Sequence, residues 1–197
     1  ADASSTTPTD KDTGQDHFMY NVLPRSLQDC FDMFAEIPNC VNDLPALKRI
    51  TLEALEDFAS HHVVYLELRS TPKRLLASHV DDDKVVTTKR DYVEAVLQVL
   101  NEFETREQQR YQQEINDRQD ASVRLPMVCR FIVAVDRSQT QQDASENVNL
   151  ASEFFQKEGS GMVVGVDLGG NPTKQDFRDF QPVFQRARDA GLQVTIH

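Results

Sequence analysis

Residues Met162 to His197 read as one strand–helix–strand repeat, and that repeat limits the chain to a parallel sheet with helices packed on it. Val163-Val164-Gly165-Val166-Asp167-Leu168 is an apolar run carrying a single charge, the pattern of a strand buried on both faces. Gly169-Gly170-Asn171-Pro172 ends it. Thr173, with Asp176 three residues on, predicts a helix N-cap close to the capping-box pattern. Phe177, Phe180, Phe184 and Ala187 recur at helical spacing, and Gly191 stops the helix. Pro182 predicts a kink, or two shorter helices meeting at Gln181, because a proline inside a continuous helix costs ~3 kcal/mol. Leu192 to Ile196 form a second strand, and a crossover helix makes the two strands parallel. Polar residues at the C-terminal ends of parallel strands are where α/β folds keep their active sites.

The rest of the chain repeats the theme. Ala1 to about His17 is rich in Ser, Thr and Asp without periodicity and predicts a flexible tail, leaving one domain over 18–197. Leu27, Cys30, Phe31 and Phe34 mark a first amphipathic helix that Pro38 ends or bends. Leu47, Ile50, Ala54 and Phe58 mark a second. Val63 to Arg69 is a strand with Glu67 and Arg69 on one face. Leu75 to Val86 is a loop whose acidic triplet, Asp81 to Asp83, lacks the alternating spacing of a calcium loop. Thr88 caps a long helix with a buried stripe of Tyr92, Val96, Val99 and Phe103. Its continuation, Glu104 to Gln119, is polar all round and predicts a solvated helical extension or a frayed insertion, not a functional element. Met127 to Val135 is the next buried strand, and Ala144, Val148, Ala151 and Phe155 give the helix behind it.

Strand ends near Arg69, Val135, Leu168 and Ile196 leave gaps of 66, 33 and 28 residues, the last two being ordinary βα repeat lengths. The fold class is therefore α/β with about four parallel strands. A closed eight-stranded barrel takes ~250 residues, so this chain matches half a barrel or a small open sheet.

Charge and apolar content narrow the partners. A net charge of −11 and the absence of a basic stripe argue against nucleic acid. No apolar run approaches the ~20 residues that cross a bilayer, and the first residues lack the basic start and apolar core of a signal peptide. Local cations can still hold a small anion. Cys30, Cys40 and Cys129 are odd in number, lack CxxC pairing, and read as the reduced thiols of a cytoplasmic protein.

Four strand ends offer chemistry: Ser70-Thr71-Pro72-Lys73, Asp136-Arg137, Gly169-Gly170-Asn171 and His197. Each has a plain alternative. Asp136-Arg137 suits a surface ion pair, Gly169-Gly170 a simple turn, and His197 a terminal residue. Their common location at one end of parallel strands is what favours a site.

Tyr65-Leu66-Glu67-Leu68-Arg69-Ser70-Thr71-Pro72, Phe131-Ile132-Val133-Ala134-Val135-Asp136-Arg137, Val163 to Pro172 and Val194-Thr195-Ile196-His197 occur in this order. Together, over Leu27 to His197, they resemble the adenosine deaminase superfamily, and specifically its adenosine-deaminase-like branch that acts on N6-methyl-AMP. The resemblance implies a partial TIM (β/α)8 barrel of the metal-dependent hydrolase type and a purine nucleotide as small-molecule ligand. It implies a zinc-bound water attacking C6 of the purine, a glutamate shuttling the proton, and IMP as product. Carried onto this sequence, Ser70, Thr71, Pro72 and Lys73 match the nucleotide-binding segment. Asp136 matches a substrate-contacting aspartate, Gly170 the glycine whose backbone lies against the purine, and His197 the third zinc histidine. The family often has arginine where Lys73 stands, which keeps the charge and loses the forked geometry.

The departures shape the expectation as much as the matches. The family's His-x-His zinc pair does not occur before Leu27, and Ile37-Pro38-Asn39 stand where some members have a substrate histidine. The family's catalytic glutamate and its aspartate ligand map beyond His197. One histidine cannot build a three- or four-ligand zinc site. The expectation is a chain truncated at both ends and inactive by itself; the alternative is a catalytically silent isoform that acts, if at all, as a binding or interaction module.

Overall fold

The computed structural model describes residues 25–77, 86–118, 123–156 and 161–197. Helix α1 (Leu27–Phe34) and a short 3₁₀ turn (Ile37–Cys40) precede α2 (Leu44–Ser60). Then β1 (Tyr65–Ser70), α3 (Lys89–Arg118), β2 (Val128–Asp136), α4 (Gln141–Gln156), β3 (Val163–Gly169), α5 (Phe177–Asp189) and β4 (Gln193–Ile196) alternate. The four strands pair in sequence order, β1-β2-β3-β4, and every pairing is parallel. This is the sheet that βα repeats dictate. The expected tail and the acidic triplet lie outside the described residues.

The core lies between the sheet and its helices. Phe131 from β2, Leu100 from α3, Val148 from α4 and Phe180 and Phe184 from α5 are fully buried there. Burying such side chains is the main stabilising contribution, ~1.5–3 kcal/mol each. β3 is buried almost throughout, as its apolar run predicts.

The structure corrects several local expectations. The buried row of α2 is Leu47, Thr51, Leu55 and Ala59. Ile50 and Phe58 remain 44% and 43% exposed. Both rows have helical spacing, and packing of α2 on α3 selects one. In α4 the buried aromatic is Phe154, while Phe155 is exposed. The apolar stripe of α1 buries none of its residues.

The start of α5 is capped one turn later than expected. Asp176 accepts from the backbone N–H of Arg178 and forms a capping box with Asp179. Thr173 instead donates its hydroxyl (2.8 Å) and backbone N–H (3.0 Å) to Asn171 Oδ1, closing a turn. Helix α5 is continuous through Pro182. The single bond that this proline forfeits belongs to the carbonyl four residues earlier, on the exposed Arg178.

The polar end of α3 is not solvated all round. Glu107 is only 5% exposed. It accepts from Arg124 at 2.9 Å and Arg110 at 3.2 Å, and Arg124 also donates to the Ala59 carbonyl. Glu104 accepts from the Cys129 backbone N–H and from Arg130. Acidic side chains of α3 thus tie the helix to β2 and to the end of α2. Burial acts to raise the Glu107 pKa, but the hydrogen bonds from Arg110 and Arg124 outweigh it and hold the carboxyl below its ordinary value.

Candidate active site at the strand ends

Parallel pairing carries the four strand ends to one edge of the sheet. Ser70 closes β1, Asp136 closes β2, Gly169 and Gly170 follow β3, and His197 follows β4. A cavity of about 450 Å³ opens there, lined by Thr71, Pro72 and Lys73 together with Asp136, Ser138, Gln139 and Tyr92. Ile37, Val41 and Ile50 supply its apolar wall. Ile50, left out of the core, is thus one of the residues that line this cavity.

Each polar group has a defined setting. The buried Tyr92 hydroxyl donates to Ser70 Oγ at 3.3 Å, and burial pushes the phenol pKa up. Burial also lowers the pKa of Lys73. Asp136 accepts from the Ser138 backbone N–H (2.8 Å) and hydroxyl (2.5 Å). Its own N–H donates to Gln139 Oε1, so a tight turn after β2 holds the carboxylate in place. A second cavity of about 430 Å³ lies between α1 and the same edge and shares Asp136 and Ser138 with the first.

Gly170 has φ of +87°, a conformation that favours glycine, and it lies directly against the Asp136 carboxylate. Arg137 is buried and does not pair with Asp136. It donates to the Gln175 carbonyl (2.8 Å) and to the His197 carbonyl (2.9 Å), locking the loop after β3 to the end of β4.

His197 continues the β4 register, its N–H donating to the Leu168 carbonyl at 2.9 Å. Its Nδ1 lies 2.7 Å from Oδ1 of Asp167, and Arg69 donates to Oδ2 of the same carboxylate at 3.0 Å. Sequence reasoning assigned no role to Asp167, Arg69 or Ser138. The available signal was a lone charge inside a strand otherwise built for burial, since such a charge must find partners.

The structure thus brings Thr71, Pro72, Lys73 and Asp136 to one cavity, with Ser70 beside it and Gly170 against Asp136. His197 stands across β3 from Asp136, in a separate cluster with Asp167 and Arg69. Among the described residues no group of three His, Cys, Asp or Glu side chains converges on a point where a metal ion could sit. His197 and Asp167 are two, and the Arg69 guanidinium lies 3.3 Å from Nε2 of His197. These residues therefore do not assemble a zinc site of three or four ligands.

The adenosine deaminase family model matches residues 3–197. The chain is 37% identical to the N6-mAMP deaminase of Arabidopsis thaliana over 180 residues, covering 88% of this chain and 47% of the relative. It is 33% identical to the human N6-methyl-AMP deaminase over 173 residues, covering 88% and 42%. Crystal structures of arabidopsis ADAL complexed with IMP and with GMP superpose with a TM-score of 0.65 at 36% identity, covering 87% of this chain and 44% of theirs. The chain spans about half the length of the curated relatives it matches. Its four parallel strands match part of the TIM barrel of these relatives. The chain belongs to the adenosine deaminase family.

Proposed function

We propose that this chain is part of a purine-nucleotide aminohydrolase that converts N6-methyl-AMP, or a related N6-substituted AMP, to IMP and an amine. The observation that carries the reading is the 450 Å³ strand-end cavity, whose lining combines the cation of Lys73 and the carboxylate of Asp136 with apolar side chains. In this reading Ser70, Thr71, Pro72 and Lys73 hold the nucleotide, with Lys73 opposing the phosphate charge. Asp136, oriented by Ser138, accepts from a polar group of the substrate. Gly170, which matches the glycine that lies against the purine in the family, has the Asp136 carboxylate where a Cβ would stand and so lets that carboxylate sit at the strand end. The cofactor of the complete site is zinc, with His197 as one ligand. Because the described residues gather no further ligand set, we assign them binding and orientation and no turnover by this chain alone.

The free thiols of Cys30, Cys40 and Cys129 fit a cytoplasmic protein. No described helix is long and apolar enough to cross a membrane. The net charge of −11 disfavours a nucleic-acid partner.

A second reading, a catalytically silent binding module, is favoured by the exposed apolar side chains of Leu27, Phe34 and Ile37 near the site. One pair of measurements tests the nucleotide reading and the assignment of inactivity. The purified chain is titrated with IMP by calorimetry, and separately incubated with zinc and N6-methyl-AMP while IMP formation is followed. Saturable IMP binding without turnover is the expected result. Turnover above background overturns the assignment of inactivity, and absence of IMP binding overturns the nucleotide reading.

A further inference from the structure

We propose that Gln139 is a further binding residue of the strand-end cavity, its side-chain amide turned so that Nε2 donates to an oxygen of the bound nucleotide. The ligand rests on the nucleotide reading of the site; the direction of the amide does not.

Gln139 lines the 450 Å³ cavity beside Asp136 and Ser138. Its main chain is held on both sides. The N–H donates to the Asp136 carbonyl at 2.9 Å, and the carbonyl accepts from Gln175 Nε2 at 2.9 Å. The side chain folds back into the same turn, where Oε1 accepts from the Asp136 N–H at 3.0 Å. A second donor reaches that oxygen from α4, Nδ2 of Asn147 at 3.3 Å.

Asn147 is the one polar side chain in a buried row otherwise made of Ala144, Val148, Leu150, Ala151 and Phe154. It is 0% exposed, and its Oδ1 has no donor among the described residues. A buried amide with one end unsatisfied is costly, so core packing does not account for it. Its contacts do, because Nδ2 joins the Ala134 carbonyl (3.0 Å) to the Gln139 amide.

Two main-chain groups fix the direction of both amides. A carbonyl only accepts, so the end of Asn147 beside Ala134 is its nitrogen, which carries two hydrogens. One goes to Ala134 and the other needs an acceptor, as does the Asp136 N–H. The end of the Gln139 amide that meets both is therefore Oε1. Turned the other way, Nε2 would face two donors. Nε2 itself meets no acceptor among the described residues and is not shut off from solvent. The free end of this amide is thus a donor, next to a carboxylate, Asp136, that only accepts when ionised. With the Lys73 cation in the same lining, the cavity holds an acceptor, a neutral donor and a charged donor. A phosphate, sugar or base oxygen suits the neutral donor.

The test is NMR of side-chain amides in the full 197-residue chain, following their hydrogen exchange with water. The spectrum of Gln139→Glu identifies the Gln139 pair. Without ligand, the Gln139 amide should exchange fast and the buried Asn147 amide slowly. A slowly exchanging Gln139 amide overturns the direction assigned to it. On titration with IMP, exchange at Gln139 should slow as the site saturates. Slowing with IMP and not with inosine makes the acceptor the phosphate; slowing with both makes it a sugar or base oxygen. Saturable IMP binding with Gln139 exchange unchanged overturns the proposal and leaves the nucleotide reading intact. A chain that binds no IMP overturns that reading together with the ligand assigned to Gln139. In Gln139→Met, IMP affinity should fall about fivefold, the loss of one neutral hydrogen bond. Wild-type affinity in the folded variant also overturns the proposal, and if Gln139→Met does not fold, the exchange measurements decide.

Discussion

A Cβ placed on Gly170 would stand 2.5 Å from Oδ2 of Asp136, and at 2.7 and 2.8 Å from the other two carboxyl atoms. The turn after β3 and the carboxylate that ends β2 are therefore fitted to each other across the sheet. Since Ser138 holds the other side of that carboxylate, it has nowhere to retreat without losing hydrogen bonds. Gly170→Ala should destabilise the chain by about 1–3 kcal/mol, combining the φ of +87° with the steric clash. Thermal denaturation measures the loss, and IMP affinity should fall with it as Asp136 is displaced.

Lys73 supplies a cation to the cavity wall. Lys73→Met should weaken IMP binding about tenfold, the equivalent of one charge-assisted contact, while inosine binding changes little. Calorimetry with both ligands makes the comparison. Because burial lowers the lysine pKa, affinity for IMP should decline as pH rises at a less alkaline point than an exposed lysine would allow. Equal losses for IMP and inosine would assign Lys73 to packing rather than to the phosphate.

Glu107 connects the polar half of α3 to Arg110 and Arg124. Glu107→Ala leaves two arginines without their shared partner and should cost about 1–3 kcal/mol, less than for a fully buried pair because both arginines are partly exposed. The pH dependence has a definite sign. The folded-state pKa lies below the ordinary value of 4.5, so the contribution is complete above that value and disappears as pH falls through the lowered one. Urea denaturation at neutral pH and in acid should show wild type and variant converging as pH drops.

Asp176 and Thr173 compete for the role of α5 cap. Asp176→Ala should lower stability by about 1 kcal/mol, the ordinary value of an N-cap. Thr173→Ala removes only a turn bond to Asn171 and should cost less. Reversal of that order in thermal melts would place the cap at Thr173.

Local pattern sufficed for much of the architecture. The strand–helix–strand repeat over Met162–His197 required parallel strands, and the four strand ends were each readable from an apolar run breaking into polar residues. The residues that gather at one edge of the sheet, from Ser70 to His197, followed from that topology, because parallel pairing leaves all C-terminal ends on the same side.

Contacts between distant segments decided the rest. Leu47, Ile50 and Thr51 all sit at helical spacings in α2, and only docking against α3 selected the row that is buried. Glu107 looked solvated because its partner Arg124 reaches it from beyond the end of its helix. Asp167 stood out as one charge in an apolar strand, but Arg69 and His197 lie 98 and 30 residues away along the chain. Periodicity is a property of neighbouring residues and is visible in one dimension. Which face is covered, and which buried charge meets which partner, depends on the free energy of bringing remote segments together, and only the folded chain determines that.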